Sequence, residues 1–315
     1  MNEPTVTVVT TAFDRAHTLA STVASVKAQT FTDYEHVIAA DGGSSDDTVA
    51  VAESLASGDD RIRVIHHPHT NQPGGINIAL DASRGRFVCF IDSDDVMMPR
   101  YIEAMLAPWE RDPDLGFAYT DAWNLDHDTK RIRRSTFLER YEPRGVPIDT
   151  ADQLLTALID HNFVSEESMV RRECLVEIGG FDDTMTHSTD YDVWVRILAN
   201  GHRGTRVPGA FLIQRMTSDS LSRNTGALWE CNRKIMRKLA DDLPASPAVK
   251  QLARERLVEI EADIRRLRSP DAAQRAAAAA RRRAGAVKRR LLARNFYLDT
   301  APAEIREAFP DLDAL

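Results

Sequence analysis

The 315-residue chain is poor in cysteine, and its three thiols, Cys89, Cys174 and Cys231, are widely spaced and odd in number. That argues against both a disulfide framework and a cysteine-held zinc site. No uninterrupted apolar run approaches the ~20 residues that a membrane-spanning helix needs. The first residues also lack a basic stretch leading into an apolar one. A secretory leader is therefore not expected, and a reducing cytoplasm is the expected location. Positive charge is scarce as well: 40 Lys and Arg against 48 Asp and Glu leave a formal −8. A body this acidic offers a nucleic-acid backbone no cationic face, so nucleic acid is not an expected partner.

What charge there is lies unevenly. Residues 226–315 hold 19 Lys and Arg against 13 Asp and Glu, a net of +6. Residues 1–225 hold 21 against 35, a net of −14. The shift suggests two regions with different surfaces, divided near residue 225. A hydrophobic content of 43% is enough to build a substantial core from a chain of this length.

Strand and helix signals alternate through the first third. Thr5 to Val9 reads as a strand, followed by a helix that presents Leu19, Val23 and Val26 at helical spacing. Tyr34 to Ala39, Arg61 to Ile65 and Arg86 to Ile91 read as three further strands. Helices ending near Leu55 and spanning Ile76 to Ala82 lie between them. This order predicts a mostly parallel, doubly wound α/β sheet, with right-handed crossovers gathering the strand ends along one rim. Beyond it, Leu115 to Tyr119 and Ser168 to Val170 read as strands, and Asp152 to Asp160 and Asp190 to Ala199 as helices. A helical extension runs from Leu228, punctuated by Pro244, Pro247, Pro270 and Pro302.

Asp92-Ser93-Asp94-Asp95 ends the apolar run Phe87 to Ile91. A buried strand that delivers three carboxylates at its end places hard oxygen ligands where open α/β sheets bind their ligands. Such oxygens suit Mg²⁺ or Mn²⁺, which commonly bridge carboxylates to substrate phosphates. Asp41, at the end of the second strand, is expected beside them.

Four ordered segments carry a family resemblance. They are Val8 to Asp14; Gln29-Thr30-Phe31 with Ile38 to Thr48; Gly85 to Asp95; and Ile178 to Asp182 followed by Asp190 to Arg196. Together the set resembles the family 2 inverting glycosyltransferases of the GT-A nucleotide-sugar fold. The resemblance covers about residues 4 to 222. It implies a nucleotide-binding half over residues 1–120, an acceptor-side half over 121–225, and a helical region over 226–315. A nucleotide-sugar donor, a hydroxyl acceptor on a carbohydrate or lipid-linked molecule, and Mn²⁺ or Mg²⁺ are the implied ligands. Asp94 and Asp95 are the implied metal ligands, and Asp92 and Asp94 contact the nucleotide. Thr11, Phe13 and Asp41 line the base, where a carboxylate accepts the imide N–H that uracil and thymine present. Asp190 is the implied general base; Asp is also favoured as a helix cap, and both roles are compatible, because a capping carboxylate can still face a cleft.

The chain departs from the family pattern in places. Ala40 replaces the first acid of a usual pair, Thr189 stands where Glu commonly precedes the base, and Asp14 replaces a frequent Asn. A histidine frequent near Thr217 is absent, with His187 the available substitute. His66, His67 and His69 read as surface-loop residues, and Trp123 lies where an acceptor could stack. The acid-free basic stretch 272–298 suits either an anionic membrane surface or packing against the acidic body or a second subunit. Two rival readings are a catalytically weak GT-A scaffold and a nucleotidyltransferase. The latter should carry a Gly-rich basic loop after the first strand, and Thr10 to Arg15 does not.

Overall fold

A computed structural model describes residues 3–216, 225–268, 297–298 and 300–309. The first four strands are β1 (Val6–Ala12), β2 (Tyr34–Asp41), β3 (Ile62–His67) and β4 (Phe87–Phe90). They pair in parallel in the order β3-β2-β1-β4. Helices α1 (Leu19–Lys27), α2 (Thr48–Ala56) and α3 (Gln72–Ala82) make the crossovers. Every residue of β2 is buried, as an inner strand covered on both faces must be. Alternation sorts β1: Val6 and Val8 pack with Met105 and Trp109 of α4 (Tyr101–Arg111), while Val9 packs with Ile76 and Leu80 of α3.

Past β4 the sheet becomes mixed, although most of its paired residues lie in parallel ladders. The order continues through β8 (Met169–Arg171), β6 (Phe117–Asp126), β9 (Gly204–Met216) and β5 (Val96–Met97), with β7 (Arg131–Ile132) on β6. β6 runs seven residues beyond the expected Tyr119, taking in Trp123. Register shifts between Thr120 and Ala122 let β9 insert Pro208, Gly209 and Phe211, with Gly209 at φ +114°. Short α5 (Phe137–Tyr141), then α6 (Ala151–Asp160) and α7 (Arg172–Glu177), lead to α8 (Thr189–Ala199). Within α8, Trp194 is fully buried, stacks on Phe117 at 5.0 Å and donates its indole N–H to Val164 O at 3.1 Å. Truncating it to Ala would cost about 3–5 kcal/mol.

Among the described residues, the C-terminal region holds α9 (Thr225–Arg237), a π-helical turn (Lys238–Asp242), α10 (Pro247–Arg268) and α11 (Ala303–Ala308). Pro247 opens α10 and Pro302 precedes α11. Ile235, Leu239, Val249 and Ile260 share one core with Leu158 and Trp194. Trp123 donates to Glu304 Oε1 at 2.8 Å. No described helix is long and apolar enough to cross a membrane. The basic stretch 272–296 and the segment 217–224 lie outside the described residues, so the readings of that stretch and of Thr217 have no structural counterpart.

Candidate active site

Asp41 and Asp92 leave the ends of β2 and β4, the two strands that flank β1. At the usual inter-strand spacing this puts them roughly 10 Å apart. Between them, β1 carries Thr11 near its end and Phe13 follows it, a ring left 43% exposed at the rim. The parallel crossovers thus gather three of the expected base-side residues, Thr11, Phe13 and Asp41, at one side.

Asp41 is 3% exposed yet well satisfied. Its Oδ1 accepts Gly43 N–H at 2.8 Å, and its Oδ2 accepts Thr70 N–H at 3.2 Å and faces His69 Nδ1 at 3.1 Å. Burial alone would raise its pKa. The Gly43 and Thr70 amides and His69 outweigh that and hold the carboxyl below its ordinary range. His69 also lies 4.8 Å from the Phe13 ring. The three histidines are therefore not simple loop residues. β3 extends through His66 and His67, His67 pairs with Asp41, and His69 caps the base-side corner. The signal missed was that β3 follows β2 to its last residue, so the residues after it must pass Asp41.

The other side is crowded with acids. After β4 a tight turn, Asp95 N–H to Asp92 O at 3.0 Å, folds the four residues back into β5. Asp95 is 5% exposed; its Oδ1 accepts Arg215 N–H at 2.7 Å, and its carbonyl accepts the Thr22 hydroxyl at 2.8 Å. β8 lies antiparallel to β4, with Cys89 opposite Met169. Continuing that course brings Glu166 and Glu167 alongside Asp92. Asp92, Asp95 and Glu167 each offer an oxygen, all within 4.8 Å of one another. Gln72, at the start of α3, donates to both Asp92 Oδ1 at 3.1 Å and Glu166 Oε1 at 3.2 Å. Gln214 donates to Glu167 Oε2 at 3.2 Å. Asp94 turns instead toward Arg15, at 3.7 Å. Neither Glu166 nor Glu167 could be drawn from sequence as part of the cluster, because only the strand register brings them there.

Among the described residues, no Lys or Arg forms an ion pair with Asp92, Asp95 or Glu167. Burial, then repulsion from Glu167 and Asp94, pushes Asp92 and Asp95 well above the carboxylate range. Glu166 is raised likewise, by burial and by Asp92 and Asp190. Arg15 lowers Asp92 and Arg215 lies near Asp95, but neither offsets the crowding, a costly arrangement of carboxylates that a divalent cation would relieve. An all-oxygen donor set suits Mg²⁺ or Mn²⁺, so the residues present fit such an ion.

Asp190 lies in the first turn of α8; the capping position belongs to Ser188, at φ +54°. Its Oδ2 accepts Asn162 Nδ2 at 2.7 Å. Burial raises the carboxyl to about 6; bonds from Tyr191 N–H and Asn162 resist the shift, and repulsion from Glu167 adds to it. His187 contacts Thr186 Oγ1 at 3.0 Å and is not a member of the acid trio.

Residues 7–179 match the model of glycosyl transferase family 2. The chain belongs to that family. A chondroitin synthase of Escherichia coli is 27% identical over 194 residues, 62% of this chain and 26% of the relative. The succinoglycan biosynthesis protein ExoO of Rhizobium meliloti (strain 1021) is 29% identical over 226 residues, 70% of this chain and 63% of its own. The chain thus spans about a quarter of the synthase and under two thirds of ExoO. Among solved structures, S. aureus TarS 1–349 in complex with UDP-GlcNAc superposes with a TM-score of 0.63 at 16% identity, covering 84% of this chain and 74% of that one. The mannosyltransferase PcManGT of Pyrobaculum calidifontis, in complex with GDP-Man and Mn²⁺, gives 0.61 at 17%, covering 89% and 80%. At these identities the likeness is one of fold, and that fold is GT-A.

Proposed function

We propose that this family 2 member moves a sugar from a nucleotide diphosphate sugar to an acceptor hydroxyl with inversion, in polysaccharide or glycoconjugate synthesis. One observation carries the reading. A satisfied carboxylate at Asp41, a cation-poor acid trio and a base-range carboxylate at Asp190 share one rim of the sheet.

Each residue then has a task. Asp41 accepts the imide N–H of uracil or thymine, with Phe13 and Thr11 against the base. Asp92, Asp95 and Glu167 would hold Mg²⁺ or Mn²⁺, with Asp94 and Arg15 beside them. When bound, the cation supplies Lewis-acid stabilisation of the charge that develops on the departing diphosphate. Gln72 spaces Asp92 from Glu166 without adding charge. Asp190, aimed by Asn162, takes the proton of the acceptor hydroxyl as that oxygen attacks the anomeric carbon. A base with a pKa of about 6 is mostly ionised at neutral pH and still able to accept a proton. The relatives named for chondroitin and succinoglycan synthesis support a polysaccharide setting.

The test is a donor screen. UDP, dTDP, GDP and ADP sugars are titrated with Mn²⁺ and with EDTA, following binding and slow hydrolysis. Uridine or thymidine donors should bind most tightly, and only with the metal. Equal binding in EDTA would remove the metal from the reading. An adenine donor that matches the uridine and thymidine ones would remove Asp41 from the base.

A further inference from the structure

Behind the rim lies a second polar cluster, where the helical C-terminal region meets the sheet domain. Lys238 opens the π-helical turn that follows α9. Its ammonium is half-buried and donates to Asp182 Oδ2 at 2.6 Å and to Asp192 Oδ1 at 2.7 Å. Asp192 is 1% exposed, and its other oxygen accepts Arg196 Nε at 2.7 Å. Arg196 Nη1 and Nη2 donate to the carbonyls of Ile178, at 2.7 Å, and Gly180, at 2.8 Å. From the opposite side, Asn77 of α3 receives Phe181 N–H and donates to Phe181 O, both at 2.8 Å. The Gly179-Gly180 turn is thereby fastened from both flanks, and Gly180 has no room for a side chain, since a Cβ would lie 2.6 Å from Asn77 Oδ1. Burial opposes the ionisation of Asp182, yet Lys238 and Thr184 hold its carboxyl at about 2.

We propose that Lys238 is a positioning residue for the transfer reaction. By tying Asp182 to Asp192 it fixes the entry into α8, and with it the Asp190 carboxylate two residues earlier on the same helix. The inference rests on reading Asp190 as the base. Alternating cations and carboxylates hold geometry better than isolated pairs, because each partner is already ordered by the next. Placement matters here, since a displacement of about 1 Å at a reacting group can cost roughly 10²-fold in rate. π-Helical turns are rare and are often found at functional sites. The C-terminal helices are then part of the transferase, because one of their side chains sets the acceptor side of the site.

The experiment uses the full chain and three variants: Lys238→Met, Asp182→Asn and Lys238→Arg. Donor affinity with Mn²⁺, kcat, and amide exchange over residues 178–192 are measured for each. Lys238→Met should lower kcat by roughly 10- to 100-fold, leave donor affinity unchanged and speed exchange only in that segment. Asp182→Asn opens one arm while Asp192 keeps both cations, so it should give the same pattern at smaller amplitude. Lys238→Arg should restore most of kcat. If Lys238→Met fails to fold, Asp182→Asn decides. Wild-type kcat in a folded Lys238→Met or Asp182→Asn protein overturns the proposal, as does a loss that appears in donor affinity. If the wild-type chain turns over no nucleotide sugar, the reading of Asp190 fails instead. Exchange over 178–192 then decides by itself whether Lys238 holds that turn.

Discussion

Glu35 and Asp95 are both nearly buried acids at opposite ends of the strands of one sheet, and they live in opposite electrostatic worlds. Glu35, near the start of β2, is 2% exposed and collects donors: Arg63 at 2.8 Å, the Arg84 side chain, the Arg84 N–H at 2.7 Å and the Thr7 hydroxyl at 2.9 Å. Burial works against its charge, but these donors outweigh it and lower its pKa. Asp95, at the other end of the strands, has one backbone N–H and the Arg215 charge nearby, yet burial and then a crowd of other acids drive its pKa up. The first arrangement is what a protein does with a buried charge that only has to be stable. The second leaves charge uncompensated where a ligand can supply the balance, and that imbalance marks a site.

The contrast can be broken by mutation. The largest effect belongs to Asp95→Ala, which should abolish transfer and weaken nucleotide diphosphate binding in Mn²⁺. Since it removes one of several repelling charges, the melting temperature of the metal-free protein should hold or rise. A marked fall in melting temperature would mean that Asp95 is structural, as Glu35 is.

Asp190→Asn comes next. It keeps shape and the bond partner Asn162 but removes the proton acceptor, so transfer should fall by roughly 10²–10⁴-fold. Donor affinity and melting temperature should stay put, the pattern of an interaction made only in the transition state. Near-wild-type transfer would falsify the assignment.

Glu35→Gln tests the opposite end. Losing its charge-assisted bonds should cost about 2 kcal/mol of stability in denaturant unfolding, with kcat and donor affinity untouched. Any change in the metal dependence of binding would show that the two ends are coupled.

The smallest effect is in pH. Asp190 rises from 3.8 to about 6 in the folded protein, so between these values the native state holds a proton that the unfolded chain releases. Its contribution to stability is therefore full below the unfolded value and is lost as pH climbs through the folded one. Glu35 and Asp41 act the other way, losing their contribution as pH falls below the ordinary carboxylate range. Melting of the metal-free protein should then be highest between about 4 and 6, and Mn²⁺ should move that maximum upward. An unchanged maximum with the metal would argue that the raised acids do not hold it.

Much of this was legible in the chain. Apolar runs with periods of two and of 3.6 residues gave β1 to β4 and their crossover helices, because in a doubly wound sheet the pattern of burial is local. The motif residues Thr11, Phe13, Asp41, Asp92 and Asp95 all lie at strand ends, where parallel topology must gather them. The helical C-terminal region, too, was readable from its spacing and prolines.

Other parts were not. Glu166, Glu167, Gln72 and Asn162 carry no pattern of their own, and they join the site because β8 runs antiparallel to β4 and because α3 and α8 pack where they do. His69 reads as a loop residue until β3 is seen to follow β2 as far as Asp41. The bridge from Lys238 to Asp192 spans 46 residues, and no local signal announces it. The sequence by itself determined β1 to β4, the helices between them and the arrival of Asp41, Asp92 and Asp95 at the rim, since these follow from hydrophobic period and chain direction. β5, β7 and β9 gave no such local signal. The tertiary structure decided which acids crowd together, which carboxyl burial raises toward neutral pH and which lysine bridges Asp182 and Asp192. Those outcomes depend on distances of a few ångströms between distant segments, where charge and burial act but sequence spacing does not.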